Sequence, residues 1–334
     1  MSAKYERILV DSFSTWHGGG SLDIDQKTGN ICVINEGGLF IFLHDKGNYT
    51  KQAKIADLNT WQGGACVSID DNTGTIAAVH EQGLDLYQPY GDSYTKISLD
   101  TFSARRKAAR CVFNKNTGNV VLVNDAEGLS LFRKKDGGYE KMVIDRFGTW
   151  HSDFGIALNQ SNGDIFVALN HKGGGEGPYP VKSDFANRDS LPKGDCVARY
   201  RPIGNDQYMK MIVARPIKWE SGSDIDVNDE TGELFVISDP GIYSYKPSGD
   251  GYAKTTLDSV HTLAEGTALR VNRSTGELVV VTDGLINISP PGHKGVPVDL
   301  AMTRNSGVDV DINGKTGDIA VVDNRGLTIY RRQS

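Results

Sequence analysis

The residue types best suited to proton transfer recur at one place in a repeated phrase, directly after a tryptophan. Two copies of the phrase read STWHGGGSLDID, from residue 14, and GTWHSDFGIALN, from residue 148. Imidazole titrates near neutral pH and suits a general acid or base, while a guanidinium can stabilise developing negative charge. We predict catalytic roles for the ionisable residues at this place and for one histidine in a neighbouring loop: His17, Arg106, His151, Glu220 and His80.

The preceding place in the phrase holds large residues, among them all four tryptophans of the chain. A bulky side chain there can pack between neighbouring repeats, or its ring can stack on a ligand, and the sequence leaves both open. For the second case we predict a set of substrate-binding residues that includes polar neighbours: Trp16, Trp61, Gln62, Arg105, Trp150, His171, Trp219, His261 and Arg304.

A turn phrase, Asx-x-x-Thr-Gly, reveals the elements that must hold these residues. Its glycines are spaced by 45, 44, 45, 69, 44 and 41 residues, which defines seven units. The Asx side chain can cap its own backbone, and Gly accepts a positive φ. Each unit holds four short segments rich in Val, Ile, Phe and Tyr, as strands are. Seven such units predict an all-β fold, a seven-bladed β-propeller with four antiparallel strands per blade.

The two ends of the chain predict how the ring closes. After the last turn phrase only two strand-like segments remain, DIAVVD and GLTIYRRQ, so one strand is missing. The outer strand of most units carries Tyr-x-Lys, and Tyr5-Glu6-Arg7 fits that pattern. We therefore predict that the N-terminal strand completes the last blade and that residues 1–334 form a single domain.

The predicted blades have two unlike faces. The turn face carries the turns between strands 1 and 2 and between strands 3 and 4, whereas the loop face carries the 2–3 loops and the connections between blades. Residues on the loop face differ from unit to unit, and five of the seven histidines map there. An insertion at 170–195 in blade 4 falls on the same face. We expect it to form either a lid or a disordered loop. We predict one axial pocket on the loop face.

Polar residues also recur on the inner strands, facing the channel or the seams between blades: Asp23, Arg110, Asp224, Asp226, Arg270, Asp309 and Asp311. Crowded carboxylates must be paired, protonated or bound to a cation. Ion pairs between blades are favoured over a channel cation such as calcium.

Composition excludes several classes of function. The net charge is −6 with no basic stripe, which argues against nucleic-acid binding. No apolar run approaches the ~18 residues of a membrane span, and the charged start does not resemble a secretory signal. The four cysteines lack CxxC spacing and are expected to be reduced and buried. We expect a cytoplasmic protein, with a monomer favoured.

The turn-and-strand pattern D-x-x-T-G-x-[IL]-x-V-x-[ND] resembles propellers of the gluconolactonase, strictosidine synthase and NHL group, and also the virginiamycin B lyase type. The segment AEGTALRVNRSTGELVVVTD is similar to that group's E-G-P metal-site segment, and RNSGVDVDINGKTGDIAVVD to its S-N-G-L segment. The resemblance implies a divalent metal, Ca or Mg, on Glu265, Asn305 and Asp323.

These observations predict an enzyme that acts on a small organic molecule or sugar. Proton-transfer chemistry fits (a lyase, an isomerase or cyclase, or a lactone hydrolase), and redox chemistry does not, because no cofactor motif appears. A lectin-like or protein-interaction propeller without catalysis is the alternative.

Overall fold

The computed structural model describes residues 5–13, 20–52, 54–58, 66–102, 109–124, 127–146, 155–169, 196–204, 206–214, 224–238, 241–259, 267–282, 284–291, 295–300 and 308–333. These residues form 28 β-strands in seven antiparallel sheets of four strands each. The inner strand of every sheet contacts the inner strands of both neighbouring sheets, the last sheet and the first included. The chain is a seven-bladed β-propeller, as predicted. In the ranges described, no helix has the length and apolar character needed to cross a membrane.

The strands of the first four blades run from the axis outward in chain order. Blade 1 contains β2 (Ser21–Ile24), β3 (Ile31–Asn35), β4 (Gly38–Asp45) and β5 (Asn48–Lys51). Blade 2 contains β6 (Cys66–Ile69), β7 (Ile76–His80), β8 (Gly83–Tyr90) and β9 (Ser93–Thr101). Blade 3 contains β10 (Ala109–Asn114), β11 (Asn119–Asn124), β12 (Gly128–Lys135) and β13 (Gly138–Asp145). Blade 4 contains β14 (Gly155–Leu158), β15 (Ile165–Leu169), β16 (Cys196–Gly204) and β17 (Gln207–Ala214).

The last blade departs from this order because its outer strand is the first of the chain. Blade 5 contains β18 (Asp224–Val227), β19 (Leu234–Ser238), β20 (Gly241–Ser248) and β21 (Gly251–Ser259). Blade 6 contains β22 (Ala268–Val271), β23 (Leu278–Thr282), β24 (Leu285–Ser289) and β25 (Val296–Leu300). Blade 7 contains β26 (Asp309–Ile312), β27 (Ile319–Asp323), β28 (Gly326–Arg332) and β1 (Tyr5–Asp11). The predicted insertion, 170–195, lies between β15 and β16 and outside the described residues.

The Asx-x-x-Thr-Gly turns form as their chemistry requires. In blade 1, Asp25 Oδ1 accepts the amide N–H of Lys27 at 2.8 Å, and Thr28 Oγ1 donates to Asp25 Oδ2 at 2.7 Å. Gly29 has a φ of 80° and donates its N–H to the Asp25 carbonyl at 2.7 Å. The same left-handed glycine ends all seven turns, with φ between 67° and 80°. A side chain at these positions would strain the backbone.

The core lies in the seams between blades rather than in one central mass. In the described residues, buried apolar side chains form seven clusters, and each cluster combines strands of two consecutive blades. The cluster that joins blades 7 and 1 also receives Ile8 and Val10 of β1. Each sheet thus buries both faces against its neighbours, so the closed ring has no unpaired blade face.

In blades 1, 3, 4 and 7, the basic residue of the outer-strand signature pairs with an aspartate of the preceding blade, whereas Lys96 of blade 2 pairs with Asp85 of its own blade. Lys210 of blade 4 lies 2.6 Å from Asp145 of blade 3, and Lys141 of blade 3 lies 2.7 Å from Asp100 of blade 2. In blade 7 this place is taken by Arg7, 3.3 Å from Asp299 of blade 6. The N-terminal strand therefore closes the last blade, as predicted.

Candidate functional site: the axial channel

The seven inner strands surround the axis, and their side chains form two rings. The first ring consists of the residues four positions before each turn Asx: Ser21, Cys66, Arg110, Gly155, Asp224, Ala268 and Asp309. The second ring lies two positions further toward the turn face: Asp23, Ser68, Val112, Ala157, Asp226, Arg270 and Asp311. The first ring therefore lies at the loop-face end of the channel, where the connections between blades enter.

Polar members of both rings accept backbone N–H groups from the next blade. Asp309 Oδ2 accepts the N–H of Leu22 at 3.1 Å, and Asp226 Oδ2 accepts that of Val271 at 2.9 Å. Ser21 does the same with its hydroxyl, at 3.2 Å from the amide N of Val67. Neighbouring inner strands do not pair as a sheet, so these amides need side-chain partners. The polar inner strands are thus part of what holds the blades together.

In the Asp-x-Asp pattern of blades 5 and 7, each aspartate serves two blades at once. The blades before them offer no acceptor in either ring, because Gly and Ala have none and Arg is only a donor. Each aspartate accepts the N–H of its own strand through Oδ1 while Oδ2 serves the next blade. The Oδ1 bonds are Ile225 to Asp224 (2.9 Å), Val227 to Asp226 (2.9 Å), Val310 to Asp309 (2.9 Å) and Ile312 to Asp311 (2.8 Å).

Arg270 of blade 6 bridges the two blades beside it. One guanidinium nitrogen lies 2.9 Å from Asp224 Oδ2, and the other lies 3.1 Å from Asp309 Oδ1. This triad is the ion pairing between blades that the sequence favours over a channel cation. It places charge at the loop-face end of the channel.

The turn-face end carries a second set of charges, which the sequence analysis missed. The residue after each turn Asx contributes them: Gln26, Asp71, Lys115, Gln160, Asp229, Arg273 and Gly314. Lys115 lies 3.0 Å from Asp71, and Arg273 lies 3.2 Å from Asp229. The residue at this position differs among the seven turn phrases. That variation was the signal in the sequence for the second set of charges. Variation among blades is therefore not confined to the loop face.

Asp311 is a carboxyl group with an unusual proton affinity. Removal from water raises the pKa of Asp311 to about 8, and the neighbouring Asp23 carboxylate adds to the shift. Asp311 accordingly holds its proton to a higher pH than an ordinary aspartate does. It can donate a proton or a hydrogen bond within the channel.

This shift predicts a pH dependence of stability that Asp23→Asn reduces. The folded chain binds the Asp311 proton more tightly than the unfolded chain, whose pKa is 3.8, so stability falls as the pH rises from about 4 to about 8. Both hydrogen bonds that Asp23 accepts, from Ser68 and Ile69, go to Oδ2. An asparagine amide oxygen can accept them both while the like charge is removed. We expect urea unfolding at pH 5 and pH 8 to show a smaller decline for Asp23→Asn, on the order of 1 kcal/mol. An unchanged decline, with exposed Asp57→Asn as control, would refute the assignment.

His80 is the one predicted catalytic residue that lies among the described residues. It ends β7 and is 3% exposed. Its Nε2 lies 2.7 Å from Asp85 Oδ2, and its Nδ1 accepts the N–H of Gln82 at 3.2 Å, which assigns the proton to Nε2. Burial raises the pKa of Asp85, but hydrogen bonds from His80, Lys96 and Ser98 outweigh this effect and bring the pKa down to about 2. Both ring nitrogens of His80 are engaged, and its catalytic role stays a prediction.

Blades 1 and 3 place asparagine at the position of His80, with the same structural role. Asn35 Oδ1 accepts the N–H of Gly37 at 2.7 Å, and Asn124 Oδ1 accepts that of Glu127 at 2.7 Å. In these blades the last residue of the second strand therefore caps the 2–3 loop. In blade 2, His80 caps the loop by accepting the N–H of Gln82 through Nδ1.

Asp323, the predicted metal ligand that can be tested on the structure, occupies this capping position in blade 7. Its Oδ1 accepts the N–H of Arg325 at 2.8 Å, and its Oδ2 lies 2.7 Å from an Arg325 guanidinium nitrogen. Arg325 thus engages both carboxylate oxygens of Asp323. In the part of the chain that is described, no group of three or more His, Cys, Asp or Glu could hold a metal ion. The metal site stays a prediction.

The remaining predicted site residues lie outside the described residues. The predicted catalytic residues concerned are His17, Arg106, His151 and Glu220. The predicted substrate-binding residues are Trp16, Trp61, Gln62, Arg105, Trp150, His171, Trp219, His261 and Arg304, and the predicted metal ligands are Glu265 and Asn305. Their roles stay predictions.

Comparisons with known proteins agree with the propeller fold. No protein-family model matches the chain, and no curated protein matches it. Among solved structures, the chain is similar to a gluconolactonase from Xanthomonas campestris described as important in glucose secondary metabolic pathways. The identity is 14%, over 84% of this chain and 88% of that one, and the TM-score is 0.53. At this identity the similarity shows the fold alone. It confirms the predicted resemblance to the gluconolactonase group of propellers.

Proposed function

We propose that the protein is an enzyme that hydrolyses a small lactone in one pocket at the loop-face end of the channel. The ring of inner strands carries this proposal. Each connection between blades ends at the first strand of a blade, and those strands contact one another around the axis. The strands that follow the seven unlike connections in the sequence therefore surround one axial position. The similarity to a gluconolactonase supports lactone hydrolysis among the reactions that the sequence predicts.

The predicted catalytic residues are separated from the first ring by only a few residues of chain, which limits their distance from this position. His17, Arg106 and His151 each precede a first-ring residue by four positions. Four residues span at most roughly 14 Å, which is within reach of a small substrate above the ring. Charges at the loop-face end, Arg270 with its two aspartates, make the floor of the proposed pocket polar. A polar floor suits a hydroxylated substrate.

Lactone hydrolysis needs two proton transfers and one site for negative charge. A base accepts a proton from water as its oxygen attacks the carbonyl carbon, and an acid protonates the ring oxygen as the ring opens. We assign these roles to His17 and His151. Arg106 stabilises the oxyanion that forms between the two steps.

The test is acid release from a panel of sugar and aliphatic lactones with five- and six-membered rings, followed with a pH indicator. We expect hydrolysis of at least one lactone, and a loss of about 10²–10⁴-fold in kcat/KM for His17→Ala or His151→Ala. His44→Gln is the matched control, because His44 lies on the turn face, where its Nε2 accepts the N–H of Gly47 at 3.1 Å. Failure to hydrolyse any lactone above the uncatalysed rate, or full activity in both alanine variants, would overturn the proposal.

A further inference from the structure

Two cysteines from neighbouring blades lie side by side in the inner strands. Cys66 is the first residue of β6, and Cys111 is the third residue of β10. Their Sγ atoms are 4.0 Å apart, and Cys66 Sγ lies 3.4 Å from both the amide nitrogen and the carbonyl oxygen of Cys111. A disulfide needs an S–S distance of about 2.05 Å, so an approach of roughly 2 Å joins the two sulfurs.

We propose that Cys66 and Cys111 form an oxidisable dithiol, which a peroxide converts into a disulfide between blades 2 and 3. None of the four described cysteines is in a disulfide, and all four are buried. This pair alone, among the hydrogen-bonded contacts of the described residues, brings two sulfurs together. The other two cysteines, Cys32 and Cys196, therefore serve as internal controls.

The surroundings of the pair select Cys66 as the attacking sulfur. The hydrogen bond from the Cys111 thiol lowers the pKa of the Cys66 thiol to about 7, against the opposing effect of burial. The same contact raises the pKa of the Cys111 thiol, and burial raises it further. Burial likewise raises the pKa of Cys32 well above its usual range. Because the thiolate is the nucleophile, Cys66 reacts first. It is also the most exposed of the four cysteines, at 7%.

The reaction balances with one peroxide per disulfide. The Cys66 thiolate attacks one oxygen of hydrogen peroxide, the O–O bond breaks, and the hydroxide that leaves takes up the thiol proton to become water. The Cys66 sulfenic acid then loses its S–O bond as the Cys111 sulfur attacks, and the Cys111 proton leaves with the hydroxyl group as a second water. Two thiols have been oxidised and one peroxide has been reduced.

The disulfide would link the two strands that directly follow two of the predicted site loops in the chain. Gln62 precedes Cys66 by four residues, and Arg106 precedes Cys111 by five. A covalent bond between β6 and β10 fixes the ends of both connections relative to each other. An effect of oxidation on catalysis rests on the proposed function, whereas the disulfide itself does not.

The test treats the folded protein with hydrogen peroxide, alkylates the remaining thiols and identifies peptides by mass spectrometry. We expect a Cys66–Cys111 cross-linked peptide that dithiothreitol reverses, formed about tenfold faster than any oxidation of Cys32 or Cys196. Equal oxidation of all four cysteines, cross-links between chains, or no cross-link at a peroxide level that oxidises the free cysteine of a reference peptide would each overturn the proposal. Thiol chemistry and lactone hydrolysis are measured separately, so either proposal can fail alone.

Two variants take residues that other blades already use at the same positions. Cys66→Ser copies Ser21 of blade 1, whose hydroxyl accepts the N–H of Val67, so the fold is preserved while the cross-link is lost. Cys111→Val copies Val67 of blade 2 and leaves Cys66 without a resolving thiol. We expect dimedone to trap a sulfenic acid at Cys66 in this variant. Trapping at Cys32 instead would refute the order of attack.

Discussion

Removal of residues 1–11 will abolish cooperative folding of the whole ring. Six residues of β1 pair with β28, from Tyr5 with Arg332 to Asp11 with Leu327. Ile8 and Val10 also pack into the seam between blades 7 and 1. Without β1, that seam opens and β28 becomes an exposed edge, which invites aggregation. We expect loss of the single unfolding transition in circular dichroism and a shift to aggregates in gel filtration.

Two controls separate closure from simple truncation. Removal of residues 1–4 alone should leave the unfolding transition in place. Residues 1–11 can also be moved behind residue 334 through a short glycine-containing turn, because Tyr5 lies opposite Arg332 in an antiparallel pair. This rearranged chain should fold, with blade 7 built from one continuous segment. A deletion variant as stable as the wild type would contradict closure by the N-terminal strand.

Asp309→Ala will produce the largest loss of stability from a single substitution in the channel. Asp309 is 5% exposed and accepts the N–H groups of Leu22 and Val310, at 3.1 and 2.9 Å. It also accepts the hydroxyl of Ser21 at 2.8 Å and pairs with Arg270. The substitution leaves two amides and a guanidinium without this partner, so we expect a loss of about 3–5 kcal/mol in the free energy of unfolding.

Graded variants connect this loss to the hydrogen bonds. Asp309→Ser places in blade 7 the residue that blade 1 has at the same position of the first ring, and it retains an acceptor, so its loss should be intermediate. Asp57→Ala removes the 90% exposed carboxylate beside Lys54 and should change stability by less than about 1 kcal/mol. Equal effects of Asp309→Ala and Asp57→Ala would show that the inner-strand acceptors do not hold the blades together.

The fold was predictable because its signals are local. Each turn phrase contains both its capping Asx and its left-handed glycine. Asp25 and Gly29 therefore identify a turn without knowledge of the rest of the chain. Repetition then gives the number of blades, and the place of Arg7 in the outer-strand pattern gives the closure. The outer-strand pattern recurs in part because Lys51, Lys141, Lys210 and Arg7 each meet an aspartate of the preceding blade.

The chemistry of the channel was harder to predict because it depends on neighbouring blades. In the Asp-x-Asp of blades 5 and 7, each aspartate accepts an N–H from its own strand and another from the next blade, and the second partner is visible only in the fold. Residue type and loop position predict a catalytic role for His80 but not its two partners, the N–H of Gln82 and the carboxylate of Asp85. The aspartate that interrupts the apolar run GLDLY was the signal for the pair of His80 with Asp85.

We propose that seven unlike blades form one ligand site on the axis. Titration calorimetry tests it most directly, with the lactam analogue of whichever lactone the enzyme hydrolyses best, since a lactam resists ring opening. We predict one lactam bound per chain, and competition with the lactone substrate. Several equivalent lactam molecules per chain, as a lectin-like propeller would bind, or no binding at all, would contradict the account.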